Sequence, residues 1–137
     1  MARILAIDYG KKRTGLAVTD PLKIIASALT TIETKELLPF LKKYFQQEHV
    51  ELIIIGMPVN WDESDTHATP LVKQAIQRLK KEFPLLKIEE VDERYTSKLA
   101  SQAMIEMGMK KKDRQKKGNI DQIAAAIMLQ EYLNAHS

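Results

Sequence analysis

Asp8 is the residue whose type and position speak most directly of chemistry. It follows Ile4-Leu5-Ala6-Ile7, an apolar run without alternation, and such a run predicts a strand buried on both faces. A carboxylate at the end of that strand stands at the rim of the sheet, where α/β folds carry their ligands. Two further carboxylates take comparable places: Glu93, just past the later strand that ends at Val91, and Asp121, near the start of the last helix. Oxygen donors of this kind suit hard divalent cations such as Mg²⁺ or Mn²⁺. Two such ions roughly 3.5–4 Å apart activate water and stabilise a departing alkoxide in phosphodiester hydrolysis. Asp8 is expected to bridge the ions, with Glu93 and Asp121 each favouring one side. Asp92 competes with Glu93, but adjacent strand residues face opposite ways, so one of the two is expected to face the site.

Positive charge flanks these positions. Gly10 and Gly15 bracket Lys11-Lys12-Arg13-Thr14, a sharp turn with a cationic tip, and Lys110 to Lys117 hold six Lys/Arg and one Asp in eight residues. Both read as phosphate-contacting segments beside the acidic set. The overall balance is only mildly basic, net +3 with a pI near 9.0, so the distribution says more than the total. His49, His67 and His136 are isolated and take no metal role. Trp61, the lone Trp, is equally compatible with stacking on a base and with packing.

The elements that must position these groups follow in order. Residues 3–8 and 14–19 read as an antiparallel hairpin, and residues 23–30 as a third strand after the Asp20-Pro21 turn. Residues 35–48 have amphipathic helical spacing, with Pro39 confined to a first turn. Residues 50–55 form a second fully apolar strand, ending at Gly56-Met57-Pro58. A helix opens at Pro70 with Thr69 as N-cap, residues 86–91 form a fifth strand nearer an edge, and a helix buries Leu99 to Met107. The last helix runs from about Asn119 to Asn134, putting Asp121 in its first turn. The order β-β-β-α-β-α-β-α-α gives a mixed sheet with strands one, four and five parallel and central. The carboxyl ends of strands one and five then share a rim. With 137 residues, 45% of them apolar and 28% charged, the chain fits one domain, residues 1–137. Zero cysteines exclude disulfides and thiolate chemistry. No apolar run long enough to span a membrane and no secretory leader pattern lead to a cytoplasmic expectation.

The pieces Ile7-Asp8-Tyr9-Gly10 with Thr14-Gly15-Leu16-Ala17, Gly56-Met57-Pro58-Val59-Asn60, Val91-Asp92-Glu93-Arg94-Tyr95-Thr96-Ser97, and Asp121 with Ala124-Ala125-Ala126-Ile127-Met128-Leu129 together resemble the YqgF family. Its proteins are described as Holliday-junction-resolvase-like and as pre-16S rRNA nucleases. Each piece is short, but they span nearly the whole chain in the family's order. One departure is visible: Trp61 to Thr66 stand where the family usually carries a Gly-Thr pair. The resemblance implies a ribonuclease H-like α/β fold, a mixed five-stranded sheet with helices on both faces. It also implies a metal-dependent endonuclease with catalytic and metal-binding Asp8, Glu93 and Asp121, two Mg²⁺ or Mn²⁺ ions, and a role in 5′-end maturation of pre-16S rRNA. The residues expected on nucleic acid are Lys11, Lys12, Arg13, Asn60, Arg94, Lys110, Lys111, Lys112, Arg114, Lys116 and Lys117.

Other readings compete. A Holliday junction resolvase would use the same carboxylates on branched DNA, as a two-fold dimer; no clear exposed dimer stripe is visible in the helices, and either a monomer or a homodimer is compatible. Expected partners are structured RNA or branched DNA and ribosomal precursor particles, with no membrane. A non-catalytic nucleic-acid-binding module would explain the basic stretch but not the acidic set. Asp8-x-Gly10 with Gly15 also resembles the phosphate loop of sugar kinases and actin, but that fold needs two such domains, and one chain of this length supplies one.

Overall fold

The computed structural model describes residues 2–57, 69–92 and 117–136. Five strands form one sheet in the order β3-β2-β1-β4-β5: β1 (Arg3–Tyr9), β2 (Arg13–Thr19), β3 (Ala26–Glu33), β4 (Val50–Met57) and β5 (Lys87–Asp92). β1 pairs antiparallel with β2, and β2 with β3. β1, β4 and β5 are parallel neighbours, as expected; β5 closes the sheet at an edge, as its imperfect alternation predicts and against a central place for all three. Its acidic pair, half-buried Glu89 and exposed Glu90, fits a strand with one neighbour among the described residues.

Two layers cover the sheet. On one face lie α1 (Leu37–Gln47), preceded by a 3₁₀ turn over Thr34–Glu36, and α2 (Thr69–Glu82). Their Leu37, Leu41, Val72, Ala75, Ile76 and Leu79 pack against Leu5, Ile7, Leu16, Ile53 and Ile55. Pro39 sits in the first turn of α1 and Pro70 in that of α2, which starts at Thr69 itself. The phenyl rings of Phe45 and Phe83 meet edge to face at 4.9 Å and join the two helices. On the other face, among the described residues, α3 (Lys117–His136) lays Ala125, Met128, Leu129 and Leu133 on Ile4, Ala6, Ala17, Leu52 and Ile54. The small residues Ala124 and Ala125, both buried, permit that close approach. The helix expected over Leu99–Met107 and most of the loop after Met57 lie outside the described residues.

The third strand begins later than the sequence predicts, at Ala26 rather than Lys23. The cause is Asp20, whose carboxylate accepts the N–H groups of Leu22 (3.1 Å), Ile24 (2.8 Å) and Ile25 (2.8 Å). Those bonds hold residues 20–25 as a turn, with Lys23 at φ 60° and its ammonium paired with Glu51. Ile24 and Ile25, apolar and β-branched, are left outside at 62% and 61% exposure. Local side-chain capture of the backbone has outcompeted strand propensity.

The Ile25 amide above all, with those of Ile24 and Leu22, holds the Asp20 carboxyl below its usual range. A depressed carboxyl stabilises the folded turn above the unfolded carboxylate range and loses that contribution as pH falls through the folded value. Acidification below about pH 4 should therefore shift the amide resonances of Ile24 and Ile25 together. Amide positions that stay constant there in an NMR titration would show that the carboxylate does not hold the turn.

Candidate active site

The site is built from strand register. Asp8 lies opposite Gly15 on β2, and Gly15 lies opposite Thr31 on β3. On the other side Ile7 pairs with Ile55, so the next step sets Asp8 beside Gly56, which pairs with Val91 on β5. One row therefore crosses the sheet as Thr31, Gly15, Asp8, Gly56, Val91. Side chains alternate along strands, and Ile4 and Ala6 face α3, so Asp8 belongs to the α3 face. Its lateral neighbours on that face are both glycines. The carboxylate is half-buried, and the positions level with it on the two flanking strands carry no side chain.

Helix α3 brings its amino-terminal end to the same rim. The Thr31 hydroxyl donates to the Gln122 side-chain oxygen at 3.3 Å, and Ala26 N–H donates to that of Gln130 at 3.1 Å. Thr31 lies towards the carboxyl end of β3 and Ala26 at its start, so α3 runs antiparallel to β3 and to β1. Position 121, next to Gln122, falls at the level of the Asp8 row. Because α3 starts at Lys117 and not near Asn119, Asp121 lies in the second turn, and the first turn holds no acidic residue. At the far end, Tyr132 donates its hydroxyl to Glu89 at 2.8 Å; burial first, and then this bond, push its pKa up to about 12. That contact fixes α3 to β5.

The carboxyl ends of β1 and β5 do share the rim, with β4 between them. Glu93, Asn60, Arg94, Lys110, Lys111, Lys112, Arg114 and Lys116 lie outside the described residues, as do Trp61 and His67. Lys117 is the first residue of α3. Lys11, Lys12 and Arg13 are exposed at the tip between β1 and β2, and Arg13 stands opposite Glu33 on β3. Among the described residues no group of three or more acidic or histidine side chains is assembled for a metal; Asp8 is the one member of the expected set whose side chain is described.

Thr34 is the residue that sequence reasoning missed. Its hydroxyl donates to the Gly10 carbonyl at 2.6 Å and lies 2.8 Å from the hydroxyl of the fully buried Thr14. Its N–H donates to the Lys12 carbonyl at 2.9 Å. Three bonds from one residue thus clamp the turn that carries the cationic tip and follows Asp8 by two positions. Gly10 is fixed by close approach, since a Cβ there would overlap the Arg13 carbonyl oxygen. No local signal marks Thr34, because its partners lie 20 and 24 positions away.

A five-stranded mixed sheet with an acid at the end of β1 and a helix crossing above it is the ribonuclease H-like arrangement. A solved structure described as "T. thermophilus RuvC in complex with Holliday junction substrate" has this fold, with a TM-score of 0.59 over 99% of this chain and 96% of that one at 16% identity. The chain belongs to the RuvX family, also called YqgF: the model described as Holliday junction resolvase matches residues 2–135. It is 50% identical to a protein of Flavobacterium psychrophilum over 133 residues, 97% of each chain. It is 51% identical to one of Phocaeicola vulgatus over 135 residues, 98% of this chain and 97% of the relative. Both carry the name "Putative pre-16S rRNA nuclease".

Thr34→Val keeps the backbone bond to Lys12 but strands the buried Thr14 hydroxyl, and should cost about 1–3 kcal/mol. Gly10→Ala should cost a comparable amount by forcing the turn apart. Urea unfolding checks both, and a loss under about 0.5 kcal/mol for each would mean that the clamp does not set this turn.

Proposed function

We propose that the chain is a divalent-metal-dependent endonuclease of the cytoplasm that acts in 5′-end maturation of pre-16S rRNA, as a single domain. The observation that carries the reading is the placement of Asp8 between Gly15 and Gly56 at the rim where α3 begins. The names of the relatives supply the substrate class.

Asp8, Glu93 and Asp121 are the residues that would hold Mg²⁺ or Mn²⁺. The donor chemistry fits, since all are carboxylates and hard cations take oxygen ligands. On β5 the α3 face carries Glu89 and Val91, and the next position of that parity is 93, which favours Glu93 over Asp92. When bound, such ions lower the pKa of water and stabilise the departing oxygen. The chain's own part is to bind and orient. Lys11, Lys12 and Arg13 draw the phosphate backbone to the rim. In sequence, the basic stretch from Lys110 leads directly into α3, and its lysines and arginine are the further phosphate contacts of this reading. Asp8 acts as a ligand and neither attacks nor carries the proton. The family description favours a second reading, resolution of four-way DNA junctions, with the same carboxylates on a different substrate.

Two measurements follow. Carboxylates gathered without a counterion repel one another, so millimolar Mg²⁺ or Mn²⁺ should raise Tm, by an amount equivalent to about 2.7 kcal/mol at a hundred times Kd. Asp8→Asn should abolish most of that gain. The same variant should lower metal-dependent cleavage by about a hundredfold or more in assays on pre-16S rRNA precursor and on a four-way junction. Preference for the junction would move the substrate to DNA, and equal inactivity of wild type and variant on both would end the nuclease reading.

A further inference from the structure

We propose that a cavity on the face of the sheet opposite Asp8 is a subsite for one unpaired nucleotide of the bound strand. The proposal rests on the nuclease reading and extends it to how the strand is held. Tyr9, the residue after Asp8, points by strand parity to the α1/α2 face and packs against that core. There it forms one wall of a cavity of about 180 Å³, whose other walls come from Leu38, Pro39 and Leu79. Lys35 and Arg78 also line it, and both are exposed, which puts their charged ends towards solvent.

This combination has a specific chemistry. An aromatic ring with aliphatic walls accepts the flat face of a base, and base–aromatic stacking is indifferent to sequence because every base has a π-face. Two such cations suit the phosphate that a nucleotide brings with it. Lys35 is 3.3 Å from Glu33, with the side chains 76% and 67% exposed. So exposed a pair holds weakly and yields to a phosphate. Lys11 and Lys12, exposed on the adjoining hairpin tip, keep the corner positive overall.

The position is as informative as the lining. Thr34 lines the cavity and clamps the cationic turn, so cavity and tip are parts of one rigid corner. Asp8 and Tyr9 leave consecutive residues of one strand on opposite faces. A strand whose backbone crosses the rim over the tip would offer a phosphodiester to the Asp8 side and a neighbouring base to the Tyr9 side. Such a grip needs an unpaired base, and it would favour single-stranded ends or distorted regions over continuous duplex.

The test reads binding without divalent metal in the Asp8→Asn protein, using a short single-stranded oligoribonucleotide and its counterpart with one abasic position. The intact strand should bind about tenfold more tightly than the abasic one. Tyr9→Leu should reduce that preference to about twofold or less. Arg78→Gln, at an exposed position that leaves folding untouched, should weaken both strands and lower the salt slope by about one. Equal affinity of the two strands, or a preference unchanged in Tyr9→Leu and a salt slope unchanged in Arg78→Gln, overturns the subsite. Displacement of the strand by an equal concentration of a free nucleoside monophosphate also overturns it, by assigning the cavity to a free nucleotide. No preference in the Asp8→Asn protein together with cleavage by the wild type removes the subsite alone, whereas that preference without cleavage by the wild type removes the nuclease reading alone.

Discussion

A carboxylate at the end of a buried strand is useful only if it is near the core yet not crowded by it. In this fold the condition is met by subtraction. Asp8 stands in a row whose neighbouring positions, Gly15 and Gly56, have no side chains, while one step deeper Ala6 lies between Ala17 and Ile54 in a closed core. At the Asp8 level Gly15 and Gly56 are themselves buried while the carboxylate between them is half-buried. Everything else at the rim follows from this boundary. The parallel order of β1, β4 and β5 brings three carboxyl ends to one side, and the antiparallel run of α3 adds a helix start there.

The helix must be held in register for that to matter. A stripe of alanines permits sliding, because small side chains interlock weakly. Polar contacts at separated points remove the freedom: Gln122 on Thr31, Gln130 on the Ala26 amide, and Tyr132 on Glu89. Each is modest on its own, about 0.5–1.5 kcal/mol for a neutral bond and somewhat more where a carboxylate accepts. Their value is geometric, since they tie both edges of the sheet to one helix and fix the level at which position 121 falls.

Most of this was legible in the sequence where the cause was local. Unbroken apolar runs announced β1 and β4, periodicity announced α1, α2 and α3, and Asp8 was evident from its place after Ile7. What failed to show was long-range or competitive. The start of β3 depended on Asp20 taking three backbone amides from a segment whose residues favour a strand. Thr34 became the clamp of the Gly10 turn only because β3 and the hairpin are neighbours in space. The Gly15–Asp8–Gly56 row needed the pairing register, which no single segment contains, although each glycine was visible within its own motif. The set of three carboxylates was likewise an inference from topology. The register sets Asp8 and the start of α3 at one rim, and Glu93 stands beyond the described end of β5.

The alternation of strand residues divides the rim between two tasks. Asp8 serves the α3 face and Tyr9 the α1/α2 face because they are adjacent, so the same backbone that fixes one fixes the other. A slip of β1 by one residue would exchange them, placing the ring over the glycine row and the acid in an apolar cavity. The protection against such a slip is the core itself. Leu5 and Ile7 on one face and Ile4 and Ala6 on the other are buried to 6% exposure or less, and a shifted register would exchange the side chains fitted to each layer. The hydrophobic packing of β1 therefore does more than stabilise the sheet: it determines which chemistry stands on which side of the rim.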